Sequence, residues 1–191
     1  MASKFPLNAL GLSHQFMAAH VREGAFCIDA TAGKGRDTLF LCRLVGDSGR
    51  VLALDIQANA VAQTTALLTA EGVAHRAHVV QDCHSHLGDY AAPDSADAIM
   101  FNFGWLPGGD HNTFSHADTS VAAVKVALDL LKVGGVMTLC LYYGRQNGTA
   151  ERDALLDFLP TVDNRRYTVI RGDFANRTGD VPIPVFIIRE A

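Results

Sequence analysis

The 191-residue chain has 49% hydrophobic and 19% charged residues, a composition that fits one folded domain over residues 1–191 with a substantial core. Its net charge of −4 and pI of about 6.0 argue against a nucleic-acid binder driven by overall positive charge, although a local basic patch remains compatible with them. No apolar run reaches membrane-spanning length, the first residues lack a signal-peptide pattern and the four cysteines lie far apart. We therefore expect a cytoplasmic protein with reduced thiols and no membrane contact.

The first periodic segment, residues 7–21, is expected to form a helix beside the functional site. His14, Met17 and Val21 recur in it at helical spacing. His14 and His20 are interpreted as partly buried or capping histidines in preference to catalytic ones.

A glycine turn in residues 28–41, with the sequence IDATAGKGRDTLFL, is the most informative stretch. Gly33 and Gly35 separate a buried strand from a helix, a pattern that lets the backbone approach a ligand while the helix start offers N–H groups. Thr38 replaces the third glycine of the dinucleotide fingerprint, and Asp29 would repel a pyrophosphate. An acid suits a ligand with an ammonium group and ribose hydroxyls, such as S-adenosylmethionine, although a plain strand-to-helix connection is the alternative.

Acidic residues also end the next two expected strands. Asp55 lies about 20 residues beyond the second glycine, where nucleotide folds place an acid on ribose hydroxyls. Its alternative role is to cap the helix expected over residues 58–70. Asp82 ends the third strand, where an adenine-binding fold places an acid or amide to read the exocyclic amine.

Cys83, His84 and His86 lie close together at the start of a short helical stretch, residues 84–90. Tetrahedral metal sites usually take paired ligands from two segments, and no matching second pair follows in the sequence. We expect no metal here, and interpret these residues as lining the cofactor edge or lying in a solvated loop.

A second chemical centre follows the fourth expected strand, in the sequence NFGWLPGGDH at residues 102–111. Ligands of open α/β sheets bind outside the carboxyl ends of the strands, so Asn102 is expected on the same rim as Asp29, Asp55 and Asp82. Asp110 and His111 are candidate proton acceptors, or else an ordinary surface pair on a flexible loop.

Alternating strands and helices predict an α/β fold with a seven-stranded, mostly parallel sheet, helices on both faces and an antiparallel edge strand from a terminal hairpin. The expected strands are residues 25–28, 50–55, 77–82, 96–101, 136–141, 167–174 and 185–189, and the later helices are residues 119–131 and 149–158.

The segments DATAGKGRDTLFL, LDIQ, NFGWLPGGDH and YYG together resemble the Rossmann-like class I S-adenosylmethionine-dependent methyltransferases. More narrowly, they are similar to a small bacterial rRNA methylase family. Its characterised members methylate the aminomethyl group of 5-aminomethyl-2-thiouridine at the tRNA wobble position. The resemblance implies S-adenosylmethionine as cofactor, the anticodon region of tRNA as partner, and a possible homodimer.

The resemblance also implies roles for individual residues. Asn102-Phe103-Gly104-Trp105 resembles the Asn-Pro-Pro-Tyr motif of amino-group methyltransferases, in which the amide holds the amine and the aromatic ring stacks on the base. The predicted catalytic residues are Asn102, Trp105, Asp110 and His111. The predicted cofactor-binding residues are Asp29, Ala30, Gly33, Gly35, Asp37, Thr38, Asp55, Gln57, Asp82, Cys83 and Asn102.

The chain departs from the family pattern at four places. Lys34 and Arg36 stand where the family's glycine turn has Asn and His, Arg145 follows Gly144 in place of a His, and Arg177 follows Asn176 in place of a Gln. Substrate alternatives are rRNA and a small molecule, since a fold alone does not fix the substrate. A non-catalytic S-adenosylmethionine- or nucleotide-binding module and an NAD-binding protein are further alternatives. The missing third glycine weakens the NAD alternative, and the intact NFGW segment weakens the non-catalytic one.

Overall fold

The computed structural model describes residues 6–104, 117–143 and 146–191, with residues 146–148 described by their backbone alone. Seven strands form its sheet: β1 Phe26–Asp29, β2 Arg50–Asp55, β3 Ala77–Gln81, β4 Ala96–Phe103, β5 Leu131–Leu141, β6 Tyr167–Arg171 and β7 Ile183–Arg189. The helices are α1 Ala9–His20, α2 Arg36–Val45, α3 Ala58–Ala70, α4 Ala117–Leu130 and α5 Gln146–Phe158, with short 3₁₀ segments at Ala74–Arg76, His84–Asp89 and Leu159–Thr161.

The strand order β3-β2-β1-β4-β5-β7-β6 confirms the expected seven-stranded, mostly parallel sheet. Strands β1 to β5 pair in parallel, whereas β7 is antiparallel to both β5 and β6. The chain forms its terminal hairpin with β6 outermost, so the antiparallel strand β7 lies one position inside the edge. The chain crosses over after β3 to place β4 on the far side of β1, which opens a ligand crevice at the carboxyl ends of β1 and β4.

Helices cover both faces of the sheet because successive strand residues point to opposite sides. On one face Val51 and Ala98 belong to the same buried apolar cluster as Met17 of α1, while on the other face Leu52 and Ile99 belong to a second cluster with Val124 of α4. All six of these side chains are almost fully buried. The central strands therefore read as continuous apolar runs, as in other parallel sheets.

Three strands, β4, β5 and β7, are longer than the sequence pattern predicts, and β7 begins at Ile183, two residues before its predicted start. Strand β4 continues to Phe103 because Asn102 and Phe103 pair with Cys140 and Leu141 of β5, so Asn102 lies inside the strand and not after it. Strand β5 starts directly after α4, with a register shift opposite the start of β4. The sixth strand ends at Arg171, three residues before its predicted end.

Within the described ranges, no helix is long and apolar enough to cross a membrane. The four cysteines are free, and three of them are buried in the core.

Candidate functional site

The carboxyl ends of β1 to β4 bring the predicted polar residues to one rim of the sheet. Asp29 is the last residue of β1, Asp55 is the last residue of β2, and Asp82 directly follows β3. Asn102 is the penultimate residue of β4. Because these strands run parallel, the sequence prediction that the four residues share a rim is confirmed.

The glycine turn is anchored to two strands before it enters α2. The N–H of Ala30 donates to the carbonyl of Met100 in β4, and the N–H of Ala32 donates to that of Leu54 in β2, both at 2.9 Å. Gly33 and Gly35 then adopt left-handed φ values of 54° and 77°. Helix α2 begins without a side-chain cap, so its first-turn N–H groups lack the usual partner and can receive an anionic group.

Gly35 is also required by packing against α3. A Cβ at this position would lie 2.8 Å from the Cα of Thr64. The Thr64 hydroxyl donates to the carbonyl of Gly33 at 3.2 Å. The shape of the turn is therefore set by α3 as well as by its own glycines.

Asp29 is fully buried and holds the turn from within. It accepts hydrogen bonds from the Thr38 hydroxyl at 2.6 Å and from the Thr31 N–H at 3.2 Å. Burial, with the nearby Asp37 carboxylate as a second cause, raises the pKa of Asp29 above its ordinary value. Both carboxylate oxygens thus serve the turn, and a direct contact of Asp29 with the methionine part of a cofactor stays a prediction.

Asp55 joins the glycine turn to the segment that leads into α3. It accepts hydrogen bonds from the N–H of Gly33 at 2.8 Å and from the N–H of Gln57 at 2.9 Å. The N-cap residue of α3 is Gln57, so Asp55 does not cap that helix directly. Each carboxylate oxygen has a further lone pair, which leaves Asp55 able to accept from ribose hydroxyls.

Asp82 is the centre of a hydrogen-bond cluster after β3. It accepts from the Cys83 N–H at 2.7 Å, His86 Nδ1 at 2.8 Å and the Tyr90 hydroxyl at 2.6 Å. The Tyr90 and His86 bonds, followed by the Cys83 bond, lower the pKa of Asp82 to about 2. The group is therefore an anion at neutral pH, and its predicted role toward adenine stays a prediction.

The three residues with metal-ligand chemistry at this position have different surroundings. The buried His84 ring meets Phe101 and Phe103 edge-on, with centroids 6.3 and 5.8 Å away, and burial lowers its pKa to about 4. His86 bonds Asp82, whereas Cys83 Sγ accepts from the Ser85 hydroxyl at 3.1 Å. Among the described residues, no group of three or more His, Cys, Asp or Glu side chains could hold a metal ion.

Asn102 is held at both its backbone and its side chain. Its N–H donates to the Thr31 hydroxyl at 2.7 Å, and its side-chain Nδ2 donates to Asp37. The other oxygen of Asp37 accepts from His14 Nε2 at 2.6 Å, and the His14 ring stacks on Phe40 with centroids 4.1 Å apart. Asn102 Oδ1 is buried and accepts no hydrogen bond from any described residue.

Comparison with known proteins identifies the relatives of this arrangement. The family model described as "Putative rRNA methylase" matches residues 51–188. The chain belongs to this methyltransferase family. A relative from Arabidopsis thaliana, the chloroplastic tRNA (mnm(5)s(2)U34)-methyltransferase, is 34% identical over 169 residues, which are 82% of this chain and 61% of the relative. The chain thus spans about three fifths of the length of that relative.

Solved structures agree with the family assignment. The "putative rRNA-methylase" from Clostridium thermocellum is 40% identical, with a TM-score of 0.93 over 96% of this chain and 98% of that one. The "putative methyltransferase" from Streptococcus mutans, solved in complex with SAH, is 29% identical, with a TM-score of 0.86 over 96% of this chain and 99% of that one. The fold is that of the class I methyltransferases, and the cofactor of the family is S-adenosylmethionine.

The described groups at the rim fit that cofactor. The uncapped start of α2 offers N–H groups to a carboxylate, and Asp55 offers acceptors to ribose hydroxyls. The buried, unpartnered Asn102 Oδ1 indicates that a hydrogen-bond donor belongs at the rim. The individual residue roles stay predictions.

Sequence patterns missed two residues at the rim, His14 and Tyr142. The sequence pattern presents His14 as a structural histidine, and the one signal for a role at the site is its helical spacing with Met17 and Val21 on a helix expected beside that site. Tyr142 follows β5 and is 37% exposed, and the partial burial of its side chain, with nearby Cys140 and Asp37 as further causes, raises its pKa to about 12. Nothing local in the sequence marks the contact of His14 with Asp37, because it depends on how α1 packs against α2.

Three predicted catalytic residues, Trp105, Asp110 and His111, lie outside the described residues, as does Arg145. Of the other positions where the chain departs from the family pattern, Lys34 and Arg36 are exposed on the glycine turn. Arg177 stacks over Phe174 at 4.3 Å and donates to the carbonyl of Leu7.

Proposed function

We propose that the protein is an S-adenosylmethionine-dependent methyltransferase that N-methylates the aminomethyl group of 5-aminomethyl-2-thiouridine at the tRNA wobble position. The observation that carries the proposal is the Asn102 amide at the rim, whose buried Oδ1 has no partner among the described residues. An amide oxygen at this position suits an N–H donor such as a primary amine. The name and 34% identity of the Arabidopsis relative support the same substrate class.

The cofactor is held in this proposal by the turn and the strand ends. The first-turn N–H groups of α2 bind the carboxylate of the methionine part, and Asp55 accepts from the ribose hydroxyls. Asp29 and Thr38 act by holding the turn, since their bond at 2.6 Å is fully buried. Asp82 and Cys83 lie on the adenine side, next to the end of β3.

When bound, S-adenosylmethionine would supply a methyl group carried on sulfur. The amine nitrogen bonds to the methyl carbon as the carbon–sulfur bond breaks, and the electron pair of that bond passes to sulfur. The protein then has to favour the neutral amine, orient it and accept its proton. Asn102 orients the amine through one N–H, and positioning of this kind supplies much of the rate enhancement. We assign base stacking to Trp105 and proton acceptance to Asp110 or His111.

In this proposal the substrate approaches the rim of the sheet next to the glycine turn. Lys34 and Arg36 are exposed there, and two cations beside the rim suit a phosphate backbone in a chain whose net charge is −4. We place the anticodon region of tRNA on this surface. We also propose that residues 1–191 form one methyltransferase domain, that the protein is cytoplasmic and that it forms a homodimer.

The test is methyl transfer from labelled S-adenosylmethionine to tRNA that lacks the terminal methyl, followed by digestion to nucleosides. Label in 5-methylaminomethyl-2-thiouridine supports the proposal. Label in 16S or 23S rRNA, or only in small metabolites, would reject it in favour of the other two substrate classes. The Asn102→Ala variant should lose the label, whereas Asn164→Ala, at an exposed turn residue, should keep it.

A further inference from the structure

A single carboxylate, that of Asp37, joins helices α1 and α2 to strand β4. His14 Nε2 donates to its Oδ1 at 2.6 Å, and Asn102 Nδ2 donates to its Oδ2. The side chains of His14 and Asp37 are only 18% and 11% exposed. Both oxygens of Asp37 are therefore engaged in a cluster from which water is largely excluded.

The contact with Asp37 decides which way the Asn102 amide faces. An ionised carboxylate can only accept, so the amide nitrogen has to face Asp37 and Oδ1 has to face away from it. Oδ1 is buried and has no partner among residues 6–104, 117–143 and 146–191. A buried carbonyl oxygen without a partner is costly, which indicates that a ligand supplies the missing donor.

We propose that Asp37, held by His14, is a positioning residue that fixes the Asn102 amide so that Oδ1 accepts a hydrogen bond from the substrate amine. The inference rests on the proposed function, because it assumes an amine as methyl acceptor. It also gives Asp37 a role on the substrate side of the site, in place of the cofactor contact predicted from the sequence. The amine gains positive charge as its bond to carbon forms, and the nearby carboxylate favours that change.

His14 in turn fixes the position of the Asp37 carboxylate. Its ring stacks on Phe40, which lies one turn after Asp37 in α2. The preceding residue, Ser13, forms a hydrogen bond with Cys140 at 3.2 Å, and Cys140 is paired with Asn102 in the sheet. Helix α1 therefore contacts the region of Asn102 in two ways, through Asp37 and through the strand residue paired with Asn102.

The first experiment compares His14→Ala, His14→Gln and Asp37→Ala with the wild type in kcat, in KM for tRNA and in affinity for S-adenosylhomocysteine. We expect kcat to fall about tenfold in His14→Ala and about 100-fold in Asp37→Ala, because a misplaced reacting group costs a factor of this size. His14→Gln should recover most of the loss, since its amide can donate to Asp37. Cofactor affinity should change less than about threefold, since neither side chain is assigned to the cofactor.

Exchanging the hydrogen-bond donor and acceptor between positions 37 and 102 distinguishes a positioning role of Asp37 from a general structural role. Asn102→Asp alone sets two carboxylates against each other, whereas Asp37→Asn combined with Asn102→Asp keeps the bond with donor and acceptor exchanged. We expect the double variant to exceed both single variants in kcat by about tenfold. A double variant no better than the singles, in protein that melts like the wild type, would overturn the inference.

Different results would reject the positioning role of Asp37 and the proposed function. A wild type that methylates tRNA, with unchanged kcat in the His14 and Asp37 variants, would overturn the inference and leave the function standing. A wild type that methylates no amine would reject the function. The contact can also be read without turnover, from the side-chain amide NMR signals of Asn102, which should shift in Asp37→Ala. Unchanged signals would overturn the inference.

Discussion

The backbone N–H of Gly33 donates a 2.8 Å hydrogen bond to the carboxylate of Asp55, which lies 22 residues further along the chain. The bond links the glycine turn after β1 to the end of β2. The second oxygen of the same carboxylate holds the N–H of Gln57 at 2.9 Å. One side chain therefore fixes the backbone on both sides of the proposed ribose position.

Asp55→Ala should abolish measurable cofactor binding. The change removes two charge-assisted hydrogen bonds, each of which contributes about 1.5–3 kcal/mol, along with the proposed ribose contact. Affinity for S-adenosylmethionine should fall at least about 100-fold by calorimetric titration. Asp157→Ala, at an exposed position of α5, is the matched control and should bind normally. Unchanged affinity in Asp55→Ala would reject the assignment of this residue.

Gly35→Ala should destabilise the protein more than Gly72→Ala does. Both glycines have left-handed φ values, 77° and 70°, so both variants incur a backbone cost of about 1–2 kcal/mol. At Gly35 the new Cβ would also lie 2.8 Å from Thr64 Cα, whereas at Gly72 it would meet nothing within 4 Å. We expect an additional loss of about 1–3 kcal/mol for Gly35→Ala, measured by urea unfolding. Equal losses in the two variants would contradict the packing role.

The strand ends were predictable from the sequence because each parallel strand is an apolar run that stops at a polar residue. Asp29, Asp55 and Asp82 mark those ends, and parallel pairing then forces them onto one rim. The rule that ligands bind at the carboxyl ends of strands supplied the rest. Local features of the sequence, such as residue spacing and the positions of glycines, were therefore enough to predict the strand ends and the rim that they form.

The contacts of Asp37 could not be predicted in the same way. Its partners His14 and Asn102 lie 23 and 65 residues away, on elements whose relative placement no local pattern specifies. The internal role of Asp29 is hidden for a similar reason, because a buried acid and a ligand-binding acid occupy the same position in the pattern. Long-range side-chain hydrogen bonds are thus the part of the site that needed the structure.

The pH dependence of stability should carry a signature of His84. Burial lowers its pKa in the folded protein to about 4, compared with an ordinary value of 6.5. Between these values the unfolded chain binds the proton and the folded protein does not, so stability is full above pH 6.5 and falls as the pH drops. From pH 7.5 to pH 5 the loss due to this group should be about 2 kcal/mol.

His84→Phe removes the titrating group and keeps an aromatic ring against Phe101 and Phe103. Its free energy of unfolding in urea should decline less than that of the wild type between pH 7.5 and pH 5. His78→Phe, at an exposed position in β3, should keep the wild-type dependence. If His84→Phe and the wild type lost stability in parallel, His84 would not be the buried neutral group described.

Thr38→Val tests whether the Thr38 hydroxyl stabilises the ionised form of the buried Asp29 in the glycine turn. The hydroxyl of Thr38 donates to Asp29 at 2.6 Å, and valine keeps the shape of threonine without that donor. Removing the donor destabilises the ionised carboxylate and raises the pKa of Asp29 beyond the effect of burial. The cost should be about 1–3 kcal/mol where Asp29 is ionised.

Because a protonated Asp29 needs the donor less, the loss in Thr38→Val should be larger at pH 8 than at pH 5. Urea unfolding at both pH values measures the difference. Thr69→Val is the matched control, since it removes an exposed hydroxyl that donates to a helix carbonyl at 2.8 Å and should cost the same small amount at either pH. Equal losses for Thr38→Val at pH 5 and pH 8 would show that the hydroxyl does not support a charged Asp29, and that another group keeps this acid inside the turn.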